Sequence, residues 1–112
     1  MCRLPPEAAV PDWALSGAFH AITRTPAELS VVCPSDDVPP GVRAEKGWRR
    51  FSLAGPIAFD ETGVLSSVAA PLAAADIGIF AISTFDTDYL LVPARKLEAA
   101  LLALEAAGHR VR

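Results

Sequence analysis

Proline placement constrains this chain more than any other feature: seven of its ten prolines (Pro5, Pro6, Pro11, Pro26, Pro34, Pro39 and Pro40) fall within the first 46 residues. Each fixes φ and removes a backbone donor, so long helices are excluded from that half. The runs between them, Ala18-Phe19-His20-Ala21-Ile22-Thr23 and Leu29-Ser30-Val31-Val32-Cys33, are rich in β-branched and aromatic side chains and predict strands joined by tight loops. Asp36-Asp37-Val38-Pro39-Pro40-Gly41 is turn chemistry. The pattern changes after it, which divides the chain into residues 1–46 and 47–112.

In the second stretch, Trp48 to Leu53 reads as a strand ended by Gly55-Pro56. Thr62 then N-caps a helix to about Ala75, in which Val64, Leu65, Val68 and Leu72 recur at helical spacing. Pro71 has no N–H and its ring meets the carbonyl of Ser67, which predicts a kink in that helix rather than its end. The nearly continuous apolar run from Ile77 to Ser83 suits a strand buried on both faces, in mid-sheet. Beyond the polar turn Thr84-Phe85-Asp86-Thr87-Asp88, Tyr89 to Val92 completes a hairpin. Pro93 occupies a helix start, Leu97, Leu101 and Leu104 form an apolar stripe, and Gly108 sits where a helix ends in a left-handed residue. His109 to Arg112 can return as a last strand. The order β-α-β-β-α-β spells an α+β, ferredoxin-like fold with two helices on one face of a four-stranded antiparallel sheet. Its other face needs cover from the N-terminal strands or from a second subunit. Together with the exposed sheet edges, this predicts a homodimer.

Composition narrows the function. With 112 residues, 52% hydrophobic and 21% charged, the chain should fold around one core. A net charge of −3 with ten scattered Lys and Arg offers no stripe for a phosphate backbone, so nucleic acid is not an expected partner. Met1 to Pro6 lacks the apolar core of a secretory signal. The apolar stretch from Val68 to Ile82 is interrupted by Pro71, Asp76 and Gly78, so a cytoplasmic protein with no membrane association is expected. Cys2 and Cys33 stand far apart in sequence, with no Cys-x-x-Cys and no paired histidines, and read as idle thiols with no metal or cofactor. His20 and His109 are isolated, and no nucleophile elbow, phosphate loop or dinucleotide fingerprint is present, so no catalytic residue is assigned. Trp13, Trp48, Phe51 and Phe80 read as core or interface residues.

Two segments are more specific. Gly55-Pro56-Ile57-Ala58-Phe59-Asp60-Glu61-Thr62-Gly63-Val64-Leu65 lies at the strand-to-helix turn, and Ile82-Ser83-Thr84-Phe85-Asp86-Thr87-Asp88-Tyr89-Leu90-Leu91-Val92 forms the hairpin. They resemble the signature segments of ACT-domain proteins related to the eukaryotic CASTOR arginine sensors, a family with small bacterial members. The resemblance also touches Glu28 to Pro34 and Gly47-Trp48. It implies an ACT domain over residues 47–112 and additional N-terminal strands, themselves a degenerate ACT-like half, that extend or cover its sheet. It further implies a non-catalytic module that binds an amino acid between ACT units and passes its output to another protein. Carried over residue by residue, the hairpin motif falls on Thr84, Phe85 and Asp88, and the turn motif on Ala58, Glu61 and Val64. The arginine sensors carry tandem ACT pairs, whereas this sequence carries one recognisable copy.

The residues support a site in their own terms. A helix start at Thr62-Gly63-Val64 exposes backbone donors and the positive end of the helix dipole to a ligand carboxylate, and Gly63 permits close approach. The simpler reading is a capped helix whose dipole Asp60 and Glu61 complement. Asp88 can hold an ammonium or guanidinium, with Phe85 as a stacking face. Alternatively, Asp86 and Asp88 bond their own turn. A metal held by Asp60, Glu61, Asp86 and Asp88 lacks the spacing of a calcium loop. The competing function is a constitutive dimerisation or docking module without a small-molecule ligand.

Overall fold

The computed structural model describes residues 1–53 and 63–111. These form two compact units, Met1–Lys46 and Gly47–Arg112, each with its own buried cluster. Two small cores therefore replace the single one that chain length suggests.

The first unit is an antiparallel sheet of β1 (Cys2–Leu4), β2 (Ala21–Arg24), β3 (Leu29–Val32) and β4 (Arg43–Ala44), in the order β2-β3-β1-β4. Pro26 pre-sets the turn between β2 and β3. Around it the Thr25 N–H donates to the Glu28 carbonyl at 2.9 Å, and the Thr25 hydroxyl accepts from the Ala27 and Glu28 amides. Strand β1 is too short to show an alternation in sequence, yet it lies inside the sheet, with Cys2 opposite Val31 and Ala44. Cys2, Ala14, Val31 and Val38 form the buried cluster. Both thiols are free, and burial, followed by the neighbouring Cys2, pushes the Cys33 thiol up from its ordinary value. These strands form a sheet of their own rather than adding to the second one.

The second unit runs β5 (Trp48–Ser52), α1 (Val64–Ala74), β6 (Phe80–Ser83), β7 (Asp88–Pro93) and, after a 3₁₀ turn over Ala94–Lys96, α2 (Leu97–Ala106). All pairs are antiparallel and the order is β5-β7-β6. This is the ferredoxin-like arrangement in its first three strands, with the crossover through α1 leaving room for β7 between β5 and β6. Leu72 from α1, Leu90 and Val92 from β7, Ala100 and Leu104 from α2, and Ile77 between α1 and β6 make the core. Trp48 and Phe80 meet edge to face, with ring centroids 4.7 Å apart.

Three sequence expectations need correction. The run from Ile77 to Ser83 is not a mid-sheet strand: only Phe80–Ser83 is extended, and it forms an edge. The central strand is β7, whose Leu90, Leu91 and Val92 are all buried, because a hairpin partner returning under α1 enters the gap that the crossover leaves. Ile77 earns its apolar character elsewhere. Its amide donates to the Leu72 carbonyl at 3.0 Å, while the preceding Asp76 (φ 60) takes the left-handed cap of α1. The last strand expected over His109 to Arg112 is not formed among the described residues, where 109–111 are irregular. Finally, the residue capping α1 is Gly63, with φ 79, and not Thr62, which lies outside the described residues. Gly108 does end α2 in a left-handed conformation (φ 92), with its amide on the Glu105 carbonyl and that of His109 on the Leu104 carbonyl, both at 3.0 Å.

Candidate functional site

The hairpin turn between β6 and β7 is closed by the two threonines at its ends. The Thr84 amide and hydroxyl both donate to the Thr87 carbonyl, at 2.8 and 3.1 Å, and the Thr87 amide donates to the Thr84 hydroxyl at 3.2 Å. Thr87 also anchors the turn to the neighbouring strand, since its hydroxyl donates to the Leu53 carbonyl at 3.1 Å while the Leu53 amide donates to the Asp88 carbonyl at 3.1 Å. The turn is thus fixed at its base on two strands, and its tip carries Phe85, 77% exposed.

Asp88 is the half-buried first residue of β7 and stands opposite Ser83 in the ladder. The Ser83 hydroxyl donates to its Oδ1. No described residue donates to Oδ2. The carboxylate is therefore oriented by one neighbour and has acceptor capacity for a cation or ammonium donor.

At the start of α1, Gly63 makes no side-chain cap. Its carbonyl accepts from the Ser67 amide at 2.9 Å and the Ser66 hydroxyl at 3.2 Å. The N–H groups of Val64, Leu65 and Ser66, which have no partner within an α-helix, meet no acceptor among the described residues. A Cβ built on Gly63 would meet nothing within 4 Å, so a side chain there is opposed by its φ and not by crowding.

Of the nine residues marked in the sequence, Thr84, Phe85 and Asp88 come together on one turn, and Gly63 and Val64 form the start of α1. Ala58, Asp60, Glu61 and Thr62 lie outside the described residues, as do two of the four carboxylates of the metal reading. Among the described residues no group of three or more His, Cys, Asp or Glu is placed to hold a metal ion. Sequence reasoning missed Ser83 and Thr87. The Thr84-x-x-Thr87 spacing was the available signal, since a hydroxyl three residues from another can close a turn on itself.

Residues 43–106 match the ACT domain, and residues 1–41 match a separate N-terminal domain family. The human protein named cytosolic arginine sensor for mTORC1 subunit 1 is 51% identical over 47 residues, which are 41% of this chain and 14% of that protein. The rat protein of the same name is 39% identical over 59 residues, 52% of this chain and 18% of its own length. The chain therefore spans less than a fifth of these relatives. A crystal structure of an Agrobacterium tumefaciens protein superposes with a TM-score of 0.93 at 49% identity, covering 99% of this chain and 83% of that one.

Proposed function

We propose that this chain, which belongs to the ACT-domain family and is related to the CASTOR-type arginine sensors, is a non-catalytic regulatory module that binds a free amino acid between ACT-like units. The observation that carries this reading is the hairpin turn fixed at its base, which bears both the Asp88 carboxylate, oriented by Ser83, and the exposed Phe85. In this topology β5 and β6 run parallel, so the start of α1 belongs at the same end of the sheet as that turn. The amides of its first turn suit an α-carboxylate, and Asp88 suits an ammonium or a guanidinium. Arginine sensing in the name of the relatives fits the same pair of charges.

A single ACT unit supplies half of such an interface. The helix-free face, which carries Trp48, Phe80, Ile82 and Tyr89, is the surface on which a second copy would complete it, giving a homodimer. Binding then regulates by favouring one assembly state, which requires different affinity for the two states. A cytosolic location is in keeping with the name of the relatives, and among the described residues no helix is long and apolar enough to cross a membrane. Calorimetric titration with each of the standard L-amino acids tests the proposal. Saturable binding of one of them, accompanied by a change in sedimentation coefficient, is the expected result. Silence across the panel would leave a docking module with no small-molecule ligand.

A further inference from the structure

The two cysteines of the chain, Cys2 and Cys33, stand far apart in sequence and are brought together by the first sheet. By its register Ile22, Val31, Cys2 and Ala44 form one row across the four strands. Side chains two apart on an extended strand share a face, so Cys33 follows Val31 onto the face that bears Cys2. The packing agrees, because Cys33 lies against the buried cluster of Cys2, Ala14, Val31 and Val38. The two thiols are within hydrogen-bonding reach of each other, and both are free.

Their surroundings differ. Cys2 is 2% exposed inside the sheet, whereas Cys33 is half-buried and lies one residue beyond the end of β3. A reagent in solution therefore reaches Cys33 first. Beyond β3 the ladder no longer sets the backbone, so the Cys33 sulfur can meet its neighbour in disulfide geometry without breaking a strand pair. In a reducing compartment a disulfide of this kind is a transient redox response rather than a permanent staple.

We infer that Cys2 and Cys33 form a reversible disulfide, a redox-modification site of the first unit, by exchange with a low-molecular-weight disulfide of the glutathione type. The Cys33 thiolate attacks one sulfur of the reagent, forms a mixed disulfide and expels one thiol. The Cys2 thiolate then attacks Cys33 Sγ, closes the intramolecular bond and expels the second. The two protons lost by the cysteines end on the two released thiols, and the reagent takes up the two electrons. Since the thiolate is the attacking form, the burial that disfavours it at Cys33 slows the first step without blocking it. The bond ties β1 to the exit of β3 and constrains the unfolded chain between residues 2 and 33.

Incubation of the whole reduced chain with excess oxidised glutathione under native conditions, run to completion and followed by mass spectrometry, tests the inference. The expected product is a single chain lighter by two hydrogens, with no alkylatable thiol, whose non-reducing digest links the Cys2 and Cys33 peptides. It should keep the circular dichroism spectrum, melt at a higher temperature than the reduced chain and revert with dithiothreitol. Cys2→Ser should stop at a glutathione adduct on Cys33, as should Cys2→Ala if serine at the buried position unfolds the chain. Cys33→Ser should leave Cys2 unmodified over the time that converts the parent. A stable adduct on the parent, two unmodified thiols, or a disulfide between chains would overturn the assignment. So would an intramolecular bond that lowers the melting temperature, since the native unit would then not hold the two sulfurs in place.

Discussion

His109 Nε2 lies 2.7 Å from the carbonyl oxygen of Ser67, the one carbonyl within α1 whose amide donor is missing because the residue four positions on is Pro71. The helix continues through its proline, and the orphaned acceptor is met by a ring from the segment that follows α2. This bond joins the two helices at a point where neither could satisfy it alone, and it gives His109 a structural role.

His109→Ala should accordingly lower stability by about 0.5 to 1.5 kcal/mol, the net worth of one such bond at a partly hydrated site. In a Pro71→Ala background the amide is restored and the same substitution should cost less. A double-mutant cycle in urea melts measures the coupling. Strictly additive losses would show that the ring and the proline are unrelated.

The apolar stripe of α2 is unequal. Leu104 is 3% exposed in the core, whereas Leu101 is half-buried. Leu104→Ala should cost about 2 to 5 kcal/mol and Leu101→Ala about 1 kcal/mol. Periodicity alone assigns them the same burial, so reversed or equal losses in denaturant melts would contradict the packing described.

Glu28 gives the first unit a pH dependence. Its carboxylate accepts from the Ser30 hydroxyl at 2.6 Å and pairs with Arg3, and these hold its carboxyl below the usual glutamate value. A group whose folded value lies below its unfolded one contributes fully above the unfolded value, and the contribution is lost as pH falls through the folded one. Across that acidic window the melting temperature of Glu28→Gln should fall less steeply than that of the parent. Parallel curves would mean that the pairing adds nothing to stability.

Much of the fold is legible in the residues. The 3.6-residue spacing of Val64, Leu65, Val68 and Leu72 and the left-handed cap at Gly108 are local signals, and each lands on a described element. Strand placement is not local. Ile77 to Ser83 carries the apolar run of a central strand, yet topology gives the centre to Asp88–Pro93, and Ile77 serves the end of a helix. Strand β1 escapes notice because Cys2-Arg3-Leu4 is too short to display a period. In the candidate site, the turn chemistry of Thr84 to Asp88 can be read from side-chain types. The bond from Thr87 to Leu53 spans residues that sequence spacing does not connect.

The central claim is that Asp88 holds the cationic group of a bound amino acid. Asp88→Asn keeps an acceptor for the Ser83 hydroxyl and preserves the shape of the turn, so the ligand-free melting temperature should hardly change. Loss of a charge-assisted bond worth about 1.5 to 3 kcal/mol should weaken binding about ten-fold or more. Calorimetric titration of parent and Asp88→Asn with L-arginine, and with any other standard amino acid that the parent binds, measures this directly. Tight binding by the parent with at least that loss in the variant is the predicted result, and equal affinity of the two proteins would contradict the account.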